Sequence, residues 1–180
     1  MVERDEKFGA SWFSLNSDGS REFLIKIPAG GYRKMSSVET LIEKIVDEYG
    51  NIRSEEQGYM EGADVFNFVI REVPRDFNRL IEYSDIDISS IDYFVFHQAN
   101  SYINGFLAKK LKLPEDKLPA TIHKFGNTSS VSIPLTIVSE LKDKLPERKR
   151  ILMSGFGVGL TWGTAVVDVE DCHISDIVEV

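Results

Sequence analysis

The feature that most constrains the fold is a regular alternation of helical and strand-like hydrophobic patterns from about residue 60 onward. The apolar runs Ile91–Phe96 and Ile151–Met153 are short and compact, which is typical of strands covered on both faces. Leu160–Val169 is rich in Thr, Trp and Val and predicts a last strand. Apolar residues recur at intervals of three and four in three other stretches, 66–81, 103–111 and 131–141. This alternation predicts an α/β layered sheet with right-handed crossovers.

Local signals add detail to this prediction. Only Gly155–Gly159 separates the last two strands, which predicts a hairpin and therefore a mixed sheet. Pro74 predicts a kink in the first long helix, and Ala120–Phe125 is predicted as a further short strand. The first sixty residues are less regular, and Val38–Val46 predicts a short amphipathic helix that ends at Gly50-Asn51.

Composition excludes several classes of protein. A length of 180 residues fits one domain of about 100–200 residues, and a formal charge of −8 argues against nucleic-acid binding. No apolar run approaches the roughly 18 residues of a membrane helix, and the charged residues 1–7 contain no secretory signal. The single cysteine, Cys172, cannot form an internal disulfide, which favours a cytoplasmic protein.

Because chemistry in such sheets concentrates at the carboxyl ends of strands, three segments are candidate sites: 97–100, 126–130 and 155–163. His97 directly follows a buried strand, where its ring would donate or accept a proton in a cleft. The alternative is a histidine at a strand end that bonds to backbone, with Asn100 as the cap of the next helix. Asn127 would direct its amide NH2 at a substrate carbonyl, or simply cap the third helix after the turn at Gly126.

The glycine-rich segment Gly155–Gly163 does not match the dinucleotide fingerprint, because Leu160 stands where a glycine is required and a strand follows. Its spacing instead predicts a tight turn whose backbone amides can face a ligand. Such amides are the usual components of an oxyanion hole.

Four motifs together resemble the C-terminal half of the beta-ketoacyl-[acyl-carrier-protein] synthase III family of the thiolase superfamily. They are Met60–Phe66, Phe96–Asn100, Phe125–Ser130 and Gly155–Gly163. The resemblance covers about residues 58–169, and Asp18-Gly19 and Pro28–Gly31 extend it loosely toward the start. It implies a thiolase-like half with a five-stranded mixed sheet, in which 1–60 hold a first strand, a variable loop and a short helix, and 61–170 form the core.

The resemblance implies decarboxylative condensation of malonyl-[acyl-carrier-protein] with an acyl group taken from coenzyme A, without a metal or organic cofactor. His97 and Asn127 would donate hydrogen bonds to the malonyl thioester oxygen, and the amide of Val158 would form half of the acyl-thioester oxyanion hole. Further residues match the family's pantetheine tunnel: Gly62, Phe66, Ala99 and Asn100. For Phe66 a simple core role is equally compatible with the pattern.

Lys109 and Lys110 match the basic helix that docks the acidic carrier protein, and Lys112 adds to that charge. An ordinary solvated helix face is the alternative interpretation. Two departures from the family pattern, Tyr102 in place of an arginine and Asn67 in place of a lysine, imply weaker docking or a different donor.

The family's nucleophilic cysteine belongs to an N-terminal half that we expect to be absent from residues 1–180. Cys172 is not its substitute, because it lies in a carboxylate-rich segment beyond the last predicted strand and not at the start of a buried helix. His123 and His173 match no family role. The chain is therefore expected to be inactive alone and to act within a homodimeric, full-length synthase. A scaffold subunit that pairs with a cysteine-bearing chain, or a related acyltransferase of specialised lipid synthesis, are the alternatives.

Overall fold

The structure is a computed structural model that describes residues 9–178, so the charged segment 1–7 lies outside the described residues. Its strands are β1 (Trp12–Ser17), β2 (Ile25–Lys26), β3 (Lys44–Ile45), β4 (Ile52–Arg53), β5 (Tyr59–Met60), β6 (Tyr93–Phe96), β7 (Lys149–Gly157) and β8 (Thr161–Val169). Its α-helices are α1 (Val38–Leu41), α2 (Gly62–Ser84), α3 (Ser101–Leu111), α4 (Ile122–Phe125) and α5 (Ser132–Glu140). Two compact units result, one of residues 9–16, 68–156 and 162–178, the other of 17–67 and 157–161.

The main sheet has the strand order β1-β8-β7-β6. β6 and β7 are parallel, with Tyr93 opposite Ile151 and Phe96 opposite Ser154. β7 and β8 are hydrogen-bonded neighbours joined by three residues, so they run antiparallel and form the predicted hairpin. The sheet is therefore mixed, as predicted.

The prediction of five strands is wrong, because the described residues place four in this sheet. The short strand predicted at Ala120–Phe125 is also wrong, because the chain forms α4 there. The backbone amides of Thr121 and Ile122 donate to Gln98 Oε1, and the amide of Phe125 donates to the carbonyl of Thr121. These amides are thus satisfied by a side chain and a helical turn rather than by a neighbouring strand.

Successive residues of β6 point to opposite faces of the sheet, which explains its continuous apolar sequence. The ring of Phe94 lies 6.0 Å from that of Phe77 on α2. On the other face, Val95 belongs to a buried cluster with Leu141, Leu145 and Ile151, against which residues of α5 pack. Helices therefore cover both faces, as the sequence predicts.

Helix α2 runs through Pro74 without interruption. A proline removes the hydrogen bond to the carbonyl four residues earlier, here that of Ile70. Lys110 Nζ on α3 donates to this carbonyl oxygen at 2.6 Å. The side chain of Lys110 thus satisfies the backbone acceptor that Pro74 leaves open. No helix among residues 9–178 has the length and hydropathy needed to cross a membrane.

The second unit consists of short elements. Ser37 caps α1, and Ile42 already has the extended dihedral angles φ −65°, ψ 121°. β3 and β4 then pair antiparallel, with Lys44 opposite Arg53, and Gly50 occupies their turn with φ +80°. The predicted helix Val38–Val46 is therefore wrong beyond Leu41, because strand pairing competes successfully with the amphipathic pattern.

Candidate active site

His97 follows the last residue of β6 and is held from several directions. Its backbone amide donates to Ser154 O at 2.9 Å, which extends the parallel pairing with β7. Its ring is half-buried and meets the ring of Phe156 edge-on at 5.1 Å. Nδ1 lies 2.6 Å from Ser132 Oγ, whereas Nε2 has no hydrogen-bond partner among residues 9–178. Burial lowers the pKa of His97, so the ring is neutral near pH 7.

The residues around His97 form a buried polar network. Gln98 donates from Nε2 to Phe96 O at 2.8 Å and accepts at Oε1 from the amide of Thr121 at 3.1 Å. The hydroxyl of Thr121 bonds Thr136 Oγ1 at 2.7 Å, and Thr136 Oγ1 donates to Ser132 O at 2.8 Å. All four side chains of this network, those of Gln98, Thr121, Ser132 and Thr136, are almost completely buried. It ties the end of β6 to α4 and α5.

Asn127 lies on the loop between α4 and α5. Gly126 has φ +67° and ψ −158°, a conformation open essentially only to glycine, as the predicted turn requires. Asn127 Oδ1 accepts from the amide of Ser129 at 2.9 Å. The predicted alternative, an N-cap of the third helix, is wrong because α5 begins at Ser132 after Val131. The Nδ2 amino group is exposed and has no hydrogen-bond partner in the described chain.

The structure connects the two predicted catalytic side chains through a residue that the sequence does not single out. The loop with Asn127 leads directly into α5, and the first residue of α5, Ser132, contacts the ring of His97. Ser132 also accepts from the amide of Gln98 at 3.3 Å. Neither periodicity nor motif distinguishes this serine from its neighbours, because its contact is 35 residues distant in sequence.

Ala99 and Asn100 lie at the start of α3. Asn100 caps this helix, since its Oδ1 accepts from the amide of Ile103 at 2.8 Å. Ala99 donates its amide to His97 O at 3.0 Å and is half-buried. The structural alternative for Asn100 is thus confirmed, and its predicted contact with pantetheine stays a prediction.

The three predicted docking lysines have different environments. Lys109 and Lys112 are exposed, and Lys112 ends α3 with φ +55°. Lys110 is bonded to the carbonyl of Ile70 and lies 5.7 Å above the ring of Phe106. Tyr102, which replaces the family's arginine, is 72% exposed on the same helix. Lys110 therefore has a structural contact that the sequence does not reveal.

The remaining predicted residues lie in the second unit or near the C-terminus. Gly62 begins α2 and Phe66 is half-buried on it. Val158 lies in the β7–β8 turn, where its carbonyl accepts from Thr161 Oγ1 at 2.8 Å. Cys172 is exposed beyond β8. Three other residues are also exposed: Asn67 in α2, and His123 and His173, which match no family role.

A mixed sheet covered by helices on both faces, with a histidine at a strand end, an asparagine loop and a glycine hairpin, defines the chain as a thiolase-like α/β half. The comparisons with known proteins give the family. Residues 81–169 match the family model "3-Oxoacyl-[acyl-carrier-protein (ACP)] synthase III C terminal". Over residues 81–169 the chain thus matches the C-terminal domain of the 3-oxoacyl-[acyl-carrier-protein] synthase III family, as the motifs predict.

The relatives extend this similarity over most of the chain. It is 36% identical over 166 residues to a beta-ketoacyl-[acyl-carrier-protein] synthase III of Streptococcus gordonii, covering 89% of this chain and 51% of the relative. A crystal structure of a 3-oxoacyl-(acyl-carrier-protein) synthase III matches with a TM-score of 0.81 and 34% identity, over 93% of this chain and 49% of that one. A synthase structure from Burkholderia xenovorans gives 0.80 and 37%, over 91% and 45%. The chain spans about half the length of these relatives.

Proposed function

We propose that this chain supplies the C-terminal catalytic half of a 3-oxoacyl-[acyl-carrier-protein] synthase III, an acyltransferase of fatty acid biosynthesis. The observation that carries the proposal is the state of His97. Its ring is neutral, fixed at Nδ1, and free at Nε2 among the described residues. Asn127, on the loop that leads into α5, likewise has a free amino group. Two uncharged donors of this kind suit an oxygen atom on which negative charge develops.

In the proposed reaction, the bond between the malonyl carboxylate and the adjacent carbon breaks and carbon dioxide leaves. The electron pair remains on the thioester as an enolate, whose oxygen accepts hydrogen bonds from His97 Nε2 and Asn127 Nδ2. The enolate carbon then attacks an acyl-thioester on a cysteine of the N-terminal half, and the cysteine thiolate leaves. Neutral donors stabilise the enolate without also binding the departing carboxylate tightly, as a cation would. Losing one such donor commonly costs about 10²–10³ in rate.

Other residues have supporting roles in the proposal. The backbone amide of Val158, in the β7–β8 turn, would donate to the acyl-thioester oxygen. The pantetheine arm would pass along Gly62, Phe66, Ala99 and Asn100. The reaction would consume acyl-coenzyme A and malonyl-[acyl-carrier-protein] and require no further cofactor.

The nucleophile must come from a cysteine-bearing half, because Cys172 is exposed in a carboxylate-rich segment beyond the last strand. This half would belong to the same longer protein or to a partner chain. We therefore expect residues 1–180 alone to be inactive, and the complete enzyme to be a cytoplasmic homodimer. A mass shift of one acyl group on Cys172 after incubation with acyl-coenzyme A would contradict this assignment.

The acidic carrier protein would dock on α3 through Lys109 and Lys112. Lys109→Glu and Lys112→Glu should weaken binding of the carrier protein to the complete enzyme in a salt-dependent manner. Lys117→Glu is unsuitable as a control, because Lys117 Nζ bonds the carbonyls of Ser89 and Ile91. Lys26 lies outside α3, so Lys26→Glu makes the same charge change without altering that helix.

The decisive assay is release of carbon dioxide from malonyl-[acyl-carrier-protein] by the protein assembled with its cysteine-bearing half. His97→Ala and Asn127→Ala should each reduce the rate by about 10²–10³, and exposed His123→Ala should leave it unchanged. Unchanged decarboxylation in both site variants would remove the assignment and favour a scaffold role. Condensation of two acyl groups without decarboxylation would instead indicate a related acyltransferase.

A further inference from the structure

Ser132 Oγ contacts two groups at the end of β6. The amide of Gln98 lies 3.3 Å away and can only donate, so the oxygen accepts this hydrogen bond. His97 Nδ1 lies 2.6 Å away, and either atom of this pair can in principle be the donor. The direction of the second bond decides which nitrogen of His97 bears the proton.

The surrounding network leaves one direction. The neighbouring hydroxyls are satisfied without Ser132 Oγ. Thr136 donates to the backbone carbonyl of Ser132, and Thr121 therefore donates to Thr136 Oγ1. Among residues 9–178, the Ser132 hydroxyl has no acceptor other than His97 Nδ1. If Nδ1 were the donor, Ser132 would accept twice, and its own buried hydrogen would have no partner. An unsatisfied buried donor is costly.

We infer that Ser132 is a positioning residue, which donates to His97 Nδ1 and holds the neutral ring in the tautomer protonated at Nε2. Its importance for catalysis rests on the proposed function, whereas the tautomer follows from the contacts alone. In this tautomer the N–H points from the side of the ring opposite Ser132. An enolate oxygen placed there receives a hydrogen bond. The other tautomer would present a lone pair to the same oxygen and repel it.

The first test is 15N NMR of the imidazole of His97 in the intact, isotopically labelled chain above the pKa of the ring. We expect a pyrrole-type signal for Nε2 and a pyridine-type signal for Nδ1. The opposite assignment in the wild-type chain overturns the inference, without any variant. This measurement does not depend on activity.

Variants test the role of the serine. Ser132→Ala should allow the Nδ1-protonated form to appear, whereas Ser132→Thr, which keeps the hydroxyl, should retain the single tautomer. Thr121→Val is the matched control, since it removes the next hydroxyl of the same network without touching His97. An unchanged tautomer in Ser132→Ala overturns the inference, as does an equal change in Thr121→Val.

Kinetics of the assembled enzyme separate this inference from the proposed function. Ser132→Ala should lower kcat for malonyl decarboxylation by roughly 10–100-fold, by analogy with residues that orient metal-ligating histidines. KM should change little, and Ser132→Thr should restore the rate. If His97→Ala impairs decarboxylation while Ser132→Ala does not, the positioning role is refuted and the proposed function stands. If His97→Ala has no effect, the proposed function fails, and the NMR result alone decides the tautomer.

Discussion

A buried carboxylate on α2, Asp76, provides the sharpest test of how the first unit is held together. The residue is 2% exposed and accepts four hydrogen bonds. The donors are Ser14 Oγ at 2.5 Å, Asn16 Nδ2 at 2.7 Å, Thr164 Oγ1 at 2.8 Å and Arg79 Nη2 at 2.9 Å. They come from β1, β8 and the next turn of α2. One side chain therefore connects the helix to two strands of the sheet.

Asp76→Ala removes the common acceptor of all four donors. Breaking a buried charged pair costs about 3–5 kcal/mol, and the lower end applies here because Arg79 is 61% exposed and can be hydrated. We therefore expect a loss of about 3 kcal/mol in the free energy of unfolding. For a protein of this size, that loss lowers Tm by roughly 6–12 °C. Asp76→Asn keeps the shape and one acceptor oxygen, so its cost should be only about 1 kcal/mol.

Urea unfolding followed by circular dichroism measures both values. Glu82→Ala is the matched control, because Glu82 is an exposed carboxylate on the same helix, and its removal should change stability by less than about 0.5 kcal/mol. The reasoning is refuted if Asp76→Ala is as stable as this control. It is also refuted if Asp76→Asn is as unstable as Asp76→Ala, because the loss would then come from the missing charge and not from the missing acceptor oxygens.

Three further predictions concern single positions. Burial lowers the pKa of His97 below about 6.5, so its contribution to stability is complete above that pH and is lost as pH falls through the folded-state pKa. Between pH 7.5 and 5.5, the urea midpoint of His97→Gln should therefore fall less than the midpoint of the wild-type chain. Parallel falls in the two midpoints would contradict this. A Cβ on Gly163 would lie 2.8 Å from a backbone oxygen of β1, so Gly163→Ala should lower the free energy of unfolding by about 1–3 kcal/mol. A Cβ on Gly105 meets open space within α3, so Gly105→Ala should raise the free energy of unfolding by about 0.5–1 kcal/mol. Equal melting temperatures of the two variants would refute the contrast. Lys110→Met should destabilise the fold by about 1 kcal/mol, because it leaves the carbonyl of Ile70 without its donor. Lys109→Met should leave the stability unchanged. Thermal melts of the two variants measure the difference, and equal melting temperatures would contradict the prediction.

Hydrophobic periodicity was sufficient for the elements whose stability comes from burial. The stretch 66–81 lies within α2, the apolar run at 91–96 contains β6, and the run at 151–153 lies on β7. It failed where side chains or strand pairing compete with the pattern. Gln98 withdraws the amides of Thr121 and Ile122 from strand pairing, and the β3–β4 hairpin replaces most of the helix predicted at 38–46.

The sequence by itself determined which residues carry the candidate chemistry. The order of strands and helices places His97 after β6 and Asn127 after the turn at Gly126, and four motifs resemble those of the synthase family. Only the tertiary structure decided which atoms of those residues are available. Asn127 uses its oxygen in a local turn, and Ser132 occupies Nδ1 of His97 from 35 residues away. The physical reason is that hydrogen-bond direction depends on the complete set of neighbours around a buried group, and a linear pattern contains no record of neighbours brought together by folding.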